Sequence, residues 1–139
     1  MGWFSNFILS AGGIEVLKAE DIKPDTSESN IGIHLYSNYG EEYEFISPEV
    51  SKDTVRKLIN DLDWEYNFFQ VICTIEPGKT MEVGGSLNGF NGLSAVFINR
   101  RDNIESVIVN PLSTREEMNE VMQSYILGTR IWYESYNWS

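Results

Sequence analysis

Between residues 68 and 110, short apolar segments alternate with turn-forming residues, and few folds are compatible with this pattern. The connections between the segments are Pro77-Gly78, a glycine-rich loop over 85–92, and a turn over 100–103. Consecutive strands joined by short connections pair in the antiparallel sense. The sequence therefore predicts a β-meander with the strands Phe68–Glu76, Thr80–Gly84, Leu93–Asn99 and Ile104–Asn110.

Two amphipathic helices are predicted, one before and one after this meander in the sequence. The first begins at Ser47-Pro48 or is capped slightly later by Ser51, and its apolar stripe is Val55, Leu58, Ile59 and Leu62. The second begins with a capping box over 113–117, and Gly128 is well placed to end it. Together these patterns predict one α+β domain over residues 1–139, an antiparallel meander sheet with two helices packed on it.

The segments outside the meander and the helices are shorter. A polar stretch, Asp21–Asn30, is typical of a loop. The aromatic end of the chain, Arg130–Tyr136, is predicted to be a strand with side chains alternating between its two faces. Further short strands are predicted at Ile14–Leu17, Ile31–Tyr36 and Tyr43–Ile46.

The chain is strongly acidic, with 21 Asp and Glu residues against 10 Lys and Arg residues and a formal net charge of −11. Thirteen of the acidic residues and five of the basic ones fall within residues 1–66. Such a charge repels the phosphates of nucleic acids at long range and attracts a basic protein. We therefore expect no nucleic acid partner and a partner with a basic surface.

Catalytic and metal-binding signatures are sparse. Cys73 is the only cysteine and lies in an apolar run, as expected for a buried structural thiol. The acidic series from Asp61 to Glu65 resembles the start of a calcium loop, but Tyr66 stands where that loop requires glycine. His34, the only histidine, could act with Glu44 if their strands pair as a hairpin. We expect no cofactor and no metal, and an enzyme built on His34 is an alternative hypothesis.

The sequence gives no indication of a membrane protein. No apolar stretch approaches the roughly 18 residues of a transmembrane helix. The first cationic residue is Lys18, so the start of the chain lacks the basic region of a secretory signal. We expect a soluble cytoplasmic protein without a membrane partner.

The second half of the chain resembles the Imm1-type immunity proteins of bacterial polymorphic toxin and contact-dependent growth inhibition systems. The resemblance covers roughly residues 45–135 and includes the helix that precedes the meander. It is carried by the motifs Met81-Glu82-Val83-Gly84-Gly85, Gly92-Leu93-Ser94-Ala95-Val96-Phe97, Asn110-Pro111-Leu112-Ser113 and Leu127-Gly128-Thr129-Arg130, followed by Trp132. The resemblance implies a non-catalytic inhibitor that neutralises a cognate bacterial toxin, in many relatives a nucleic-acid deaminase.

An immunity protein of this kind would bind a basic toxin domain through acidic side chains and aromatic anchors. The densest acidic groups are the candidates for the electrostatic contacts, and three neighbouring tyrosines are the candidate anchors. The predicted toxin-binding residues are Glu41, Glu42, Glu44, Asp61, Asp63, Glu65, Tyr36, Tyr39 and Tyr43. An acidic face that only contacts solvent, and an adaptor or oligomeric scaffold using exposed strands, are the alternatives that remain open at this point.

Overall fold

In the computed structural model of the protein, which describes residues 26–89 and 92–139, a six-stranded antiparallel sheet carries the two longest helices on one of its faces. The predicted α+β meander fold is confirmed. The predicted strand Ile14–Leu17 lies outside the described residues. The elements are α1 (Thr26–Ser29), β1 (Gly32–Ser37), β2 (Glu42–Ser47), α2 (Lys52–Asp61), β3 (Phe69–Glu76), β4 (Lys79–Gly85), β5 (Leu93–Asn99), β6 (Ile104–Val107), α3 (Arg115–Leu127) and α4 (Ile131–Glu134).

The strand order is β2-β1-β3-β4-β5-β6. Strands β3 to β6 follow one another as the predicted meander, whereas β1 and β2 form a hairpin that joins the sheet through β1. Helix α2 connects β2 to β3, so the chain leaves the outer strand of the hairpin and returns on the other side of β1. Ser37 at the end of β1 therefore pairs with Phe69 at the start of β3.

Helices α2 and α3 begin and end at residues that the sequence identifies. Ser51 is the N-cap of α2, so the later of the two predicted starts is correct, and its hydroxyl accepts a hydrogen bond from the Thr54 amide. Thr114 caps α3 in the same way, and Gly128 ends it with a φ of 77°. Neither these nor the other helices of residues 26–89 and 92–139 have the length and hydropathy needed to cross a membrane.

The main hydrophobic core lies between the sheet and these two helices. Val55 and Ile59 of α2 and Met118 and Val121 of α3 are fully buried against it. Strand alternation places every second residue of the central strands on this face, including Ile33, Leu35, Val71, Cys73, Met81 and Val83. Cys73 is buried as predicted, and burial raises the pKa of its thiol.

The second face of the sheet buries several polar side chains. His34, Gln70, Thr74, Thr80 and Glu82 are all buried there, beside a small apolar cluster formed by Tyr36, Ile72, Val96 and Ile98. Helix α1 contacts this face: the Thr74 hydroxyl donates to the Ser27 carbonyl. The buried Glu28 carboxylate accepts two hydrogen bonds from the Arg100 guanidinium, at 2.9 Å and 3.2 Å.

Two sequence predictions are wrong in detail. Of the polar stretch 21–30 the structure describes residues 26–30, and Thr26–Ser29 form the helical turn α1 rather than a loop. The aromatic segment 130–136 is not a strand but forms the helical turn α4, in which the Glu134 amide donates to the Arg130 carbonyl. This turn places the Trp132 ring 4.9 Å from Phe97 and leaves Tyr133 exposed. Packing against the sheet therefore overrides the strand propensity of these aromatic residues.

Gly85 and Gly128 both have a positive φ, but the space available for a side chain differs between the two positions. They therefore make a matched pair of tests. A Cβ atom on Gly85, where φ is 119°, would meet the Gly92 carbonyl oxygen at 2.2 Å, whereas one on Gly128 would have no neighbour within 4 Å. We expect Gly128→Ala to cost about 1 kcal/mol of stability from backbone strain and Gly85→Ala about 3 kcal/mol or more. Urea unfolding measures both, and equal costs would contradict the steric argument.

Candidate functional site

The predicted acidic residues of the β1–β2 hairpin are exposed. Glu41, Glu42 and Glu44 lie in the turn and along β2, which is an outer strand of the described sheet. The turn contains Tyr39 with a φ of 57° and Gly40 with a φ of 87°. The hairpin therefore presents three carboxylates to solvent within four residues.

The second acidic group lies in the connection between α2 and β3. Asp61 ends α2 and forms an ion pair with Lys57 one helical turn earlier, at 2.6 Å. The Asp63 side chain accepts a hydrogen bond from the Glu65 amide at 3.1 Å, and both acidic side chains are exposed. Asp63 thus stabilises its own turn and keeps the second carboxylate group at the surface.

The fold brings these two acidic groups to the same end of the sheet. Tyr39 in the hairpin turn stacks on Phe68, which follows the α2–β3 connection, with a ring separation of 4.7 Å. The pairing of Ser37 with Phe69 places the turn beside the start of β3. We call this region the acidic end and define it by Glu41, Glu42, Asp63 and Glu65. Two of the predicted residues are not included in this definition. Glu44 lies further along β2, and the charge of Asp61 is paired with Lys57.

Three tyrosines were predicted to be binding anchors at the surface, and for Tyr36 this prediction is wrong. This residue lies on β1, between β2 and β3, and only 3% of it is exposed. Burial raises the pKa of its phenol. Tyr43, which pairs with it on the outer strand, packs its ring 4.8 Å away and remains 43% exposed. Tyr39 is also exposed, so these two tyrosines remain candidate anchors.

His34 is buried, and both of its ring nitrogens are engaged. Nε2 donates to the Asn30 carbonyl at 2.8 Å, so in the neutral ring Nδ1 accepts from the Tyr43 hydroxyl, also at 2.8 Å. Burial lowers the pKa of the imidazole, and the bond to Asn30 raises it by less, so the ring is neutral near pH 7. This arrangement holds the Tyr43 side chain in place.

The hypothetical pairing of His34 with Glu44 is not formed. The two strands do pair as a hairpin, but His34 lies opposite Phe45, whereas Glu44 lies opposite Leu35. Because successive side chains of a strand point to opposite faces, the Glu44 carboxylate and the imidazole lie on different sides of the sheet. The enzyme hypothesis thereby loses the general base and carboxylate pair that motivated it. Among the described residues there is also no group of three metal-ligating side chains.

Sequence reasoning missed two exposed aromatic residues near the acidic groups. Tyr66 follows Glu65 and is 75% exposed, and Phe45 on β2 is also exposed. The exposure of Tyr66 could have been predicted from its position in a polar connection, because an aromatic side chain outside a helix or strand has no apolar face of such an element to pack with. Phe45 shares a face of the hairpin with Tyr43, and its ring lies 5.1 Å from that of His34. With Tyr39, these residues place aromatic surface beside the carboxylates.

No protein-family model matches the chain, and neither a curated protein nor a solved structure is significantly similar to it.

Proposed function

We propose that this protein is an immunity protein of a bacterial polymorphic toxin or contact-dependent growth inhibition system, and that it neutralises its cognate toxin by binding it one to one in the cytoplasm. The observation that carries the proposal is the acidic end, where two acidic groups that are separate in the sequence lie beside exposed aromatic side chains. The resemblance to Imm1-type proteins supports the same function.

The electrostatics of the chain suit an inhibitor of a toxin that acts on nucleic acids, such as a deaminase or a nuclease. A toxin of this class needs a cationic groove to bind phosphates. A protein with a net charge of −11 is attracted to that groove from a distance, which increases the rate of association. The acidic end would then cover the active site or the substrate groove.

Affinity requires more than charge, because exposed ion pairs each contribute little. Aromatic side chains that lose their contact with water at the centre of an interface supply much of the binding energy in known complexes. Tyr39 and Tyr66 lie beside the acidic end, and Tyr43 is held on the hairpin by His34. We assign these three tyrosines as anchors within an acidic rim.

The test is co-expression with the polypeptide encoded immediately upstream, scored by pull-down and by rescue of growth. We expect a salt-sensitive one-to-one complex. The double variant Glu42→Lys/Glu65→Lys should weaken binding at least about tenfold, mainly through slower association. The matched control Glu49→Lys/Asp102→Lys makes the same change in charge at exposed positions away from the acidic end and should weaken binding less than about threefold.

Absence of both a complex and rescue would contradict the immunity function. A stable homo-oligomer in that case would favour the scaffold alternative. Equal weakening by the two double variants would mean that net charge alone, and not the acidic end, determines the association.

A further inference from the structure

We propose that a polar cleft between α2 and α3 receives an arginine or lysine side chain of the partner. The inference rests on the proposed function, since it assigns a second contact to the same toxin. The cleft has a volume of about 380 Å³. Its lining comes mainly from one stripe of each helix, including Arg56 and Asn60 on α2 and Glu116, Asn119, Glu120 and Gln123 on α3.

One residue that lines the cleft carries an acceptor without a donor. Asn119 is only 6% exposed, and its Nδ2 donates to Asn60 Oδ1 at 3.0 Å. Its own Oδ1 is buried and has no hydrogen-bond partner among the described residues. Because buried amide oxygens in folded proteins nearly always accept a hydrogen bond, a donor that a bound ligand brings to this oxygen would remove the cost of leaving it unpaired.

Two carboxylates lie within one helical turn of that acceptor. Glu116 and Glu120 are exposed, and Glu116 takes part in no ion pair within residues 26–89 and 92–139. Glu120 accepts a hydrogen bond from the Tyr136 hydroxyl, which leaves its other oxygen lone pairs available. Three acceptors on one turn of α3 match the several N–H donors of a guanidinium group or the three donors of an ammonium group.

Toward its other end the cleft includes two apolar side chains. Leu127 and Ile131 line it there and are both exposed. An arginine or lysine side chain has a methylene stem that packs on apolar surface while its charged head reaches polar groups. The stem would lie toward Leu127 and the head toward Glu116.

Arg56 provides a test in which a substitution should strengthen ligand binding rather than weaken it. It also lines the cleft and forms no ion pair with the described residues, so it repels a cationic ligand. If a cation binds here, neutralising Arg56 should strengthen binding, whereas neutralising the two glutamates should weaken it. A ligand that recognised only the shape of the cleft would respond to neither change.

The first experiment is an NMR titration of the ¹⁵N-labelled protein with N-acetyl-arginine amide, using the neutral isostere N-acetyl-citrulline amide as the control. Shifts should concentrate on the side-chain amides of Asn60 and Asn119. Glu116→Gln/Glu120→Gln should weaken binding about threefold or more, and Arg56→Gln should strengthen it about twofold. Equal shifts with both compounds, or shifts spread over the acidic surface, would overturn the inference.

The second experiment uses the toxin complex and separates the two proposals. Glu116→Gln/Glu120→Gln should weaken toxin binding about tenfold, whereas the exposed control Glu49→Gln/Asp102→Gln should leave it unchanged. Unaltered toxin affinity in the first variant would overturn the cleft assignment while the immunity function stands. A protein that binds the arginine compound but no toxin would contradict the assigned partner together with the immunity function.

Discussion

Replacing Trp64 with alanine should lower the free energy of unfolding by about 3–5 kcal/mol, the largest effect we expect of any single side-chain truncation in this protein. The side chain is fully buried in the main core, and its ring meets Phe69 edge-on at 5.5 Å. Its Nε1 donates to the Ile59 carbonyl at 2.8 Å. That carbonyl belongs to the last turn of α2, where no further helical amide is available to bond it.

Trp64 also links the candidate site to the core. Its backbone carbonyl accepts hydrogen bonds from the Leu87 amide at 2.7 Å and from the Ser86 hydroxyl at 3.0 Å. The exposed carboxylates of Asp63 and Glu65 flank it directly in the sequence. A loss of the indole should therefore loosen the acidic end as well as reduce stability, and binding to the proposed toxin partner should weaken with it.

Urea unfolding of three variants tests this role. Trp64→Ala should show the full loss, and Trp64→Phe about 1–3 kcal/mol, because phenylalanine keeps much of the apolar volume but leaves the Ile59 carbonyl without its donor. The control is Tyr66→Ala, which lies in the same connection but is largely exposed and should cost less than about 0.5 kcal/mol. The assigned role would be contradicted if Trp64→Ala lowered the free energy of unfolding by an amount within 1 kcal/mol of the control. This comparison requires that the dependence of the unfolding free energy on urea concentration is unchanged.

The second large effect concerns Glu82 and the dependence of stability on pH. Glu82 lies on the second face of the sheet, between Ile72 and Val96 on the neighbouring strands, and its Oε2 has no hydrogen-bond partner among the described residues. Burial raises its pKa well above the ordinary value, and the nearby carboxylates Glu28 and Glu105 raise it further. The native state therefore holds a proton that the unfolded chain releases near pH 4.5.

The sign of the effect follows from proton binding. Above the unfolded pKa and below the native one, the native state binds one more proton, so this group should reduce the unfolding free energy by about 1.4 kcal/mol per pH unit as pH rises. Glu82→Gln carries no such proton and should remove this slope. The stability advantage of the variant over the wild type should accordingly be small at pH 4.5 and grow as the pH increases.

Parallel denaturation series between pH 4.5 and pH 8 measure this difference. Glu49→Gln, at an exposed position, is the control and should follow the wild type at every pH. An advantage of Glu82→Gln that stays constant across the series would mean that the native carboxyl titrates like an exposed one. In that event, burial would not govern its ionisation.

Local sequence patterns were sufficient to predict the strands of the meander and the two long helices. The meander was predictable because short turns force consecutive strands together, and both long helices because their caps and apolar stripes lie within a few residues of one another. The error at 130–136 arose where the decisive contacts are distant in sequence. Trp132 packs on Phe97 and Tyr125, and its amide donates to the Ser124 hydroxyl, so a segment of high strand propensity folds as a helical turn.

The candidate site was likewise predictable from the sequence only in part. Its acidic composition and most of its exposed residues were visible in the sequence. Strand alternation places Tyr36 on the same face as His34, but that both are buried depends on elements of the fold distant from them. The separation of His34 from Glu44 depends on the hairpin register, which no local pattern determined.

By itself, the sequence determined the fold class, the two long helices and the excess of negative charge, because each depends on spacing within a short window or on composition alone. Only the tertiary structure decided that the hairpin carboxylates and those after α2 share one end of the sheet, and that Glu82 and Asn119 are buried with unsatisfied atoms. These features depend on strand order, register and helix packing. Such contacts join residues that are far apart along the chain, and their free energy is shared over the whole core.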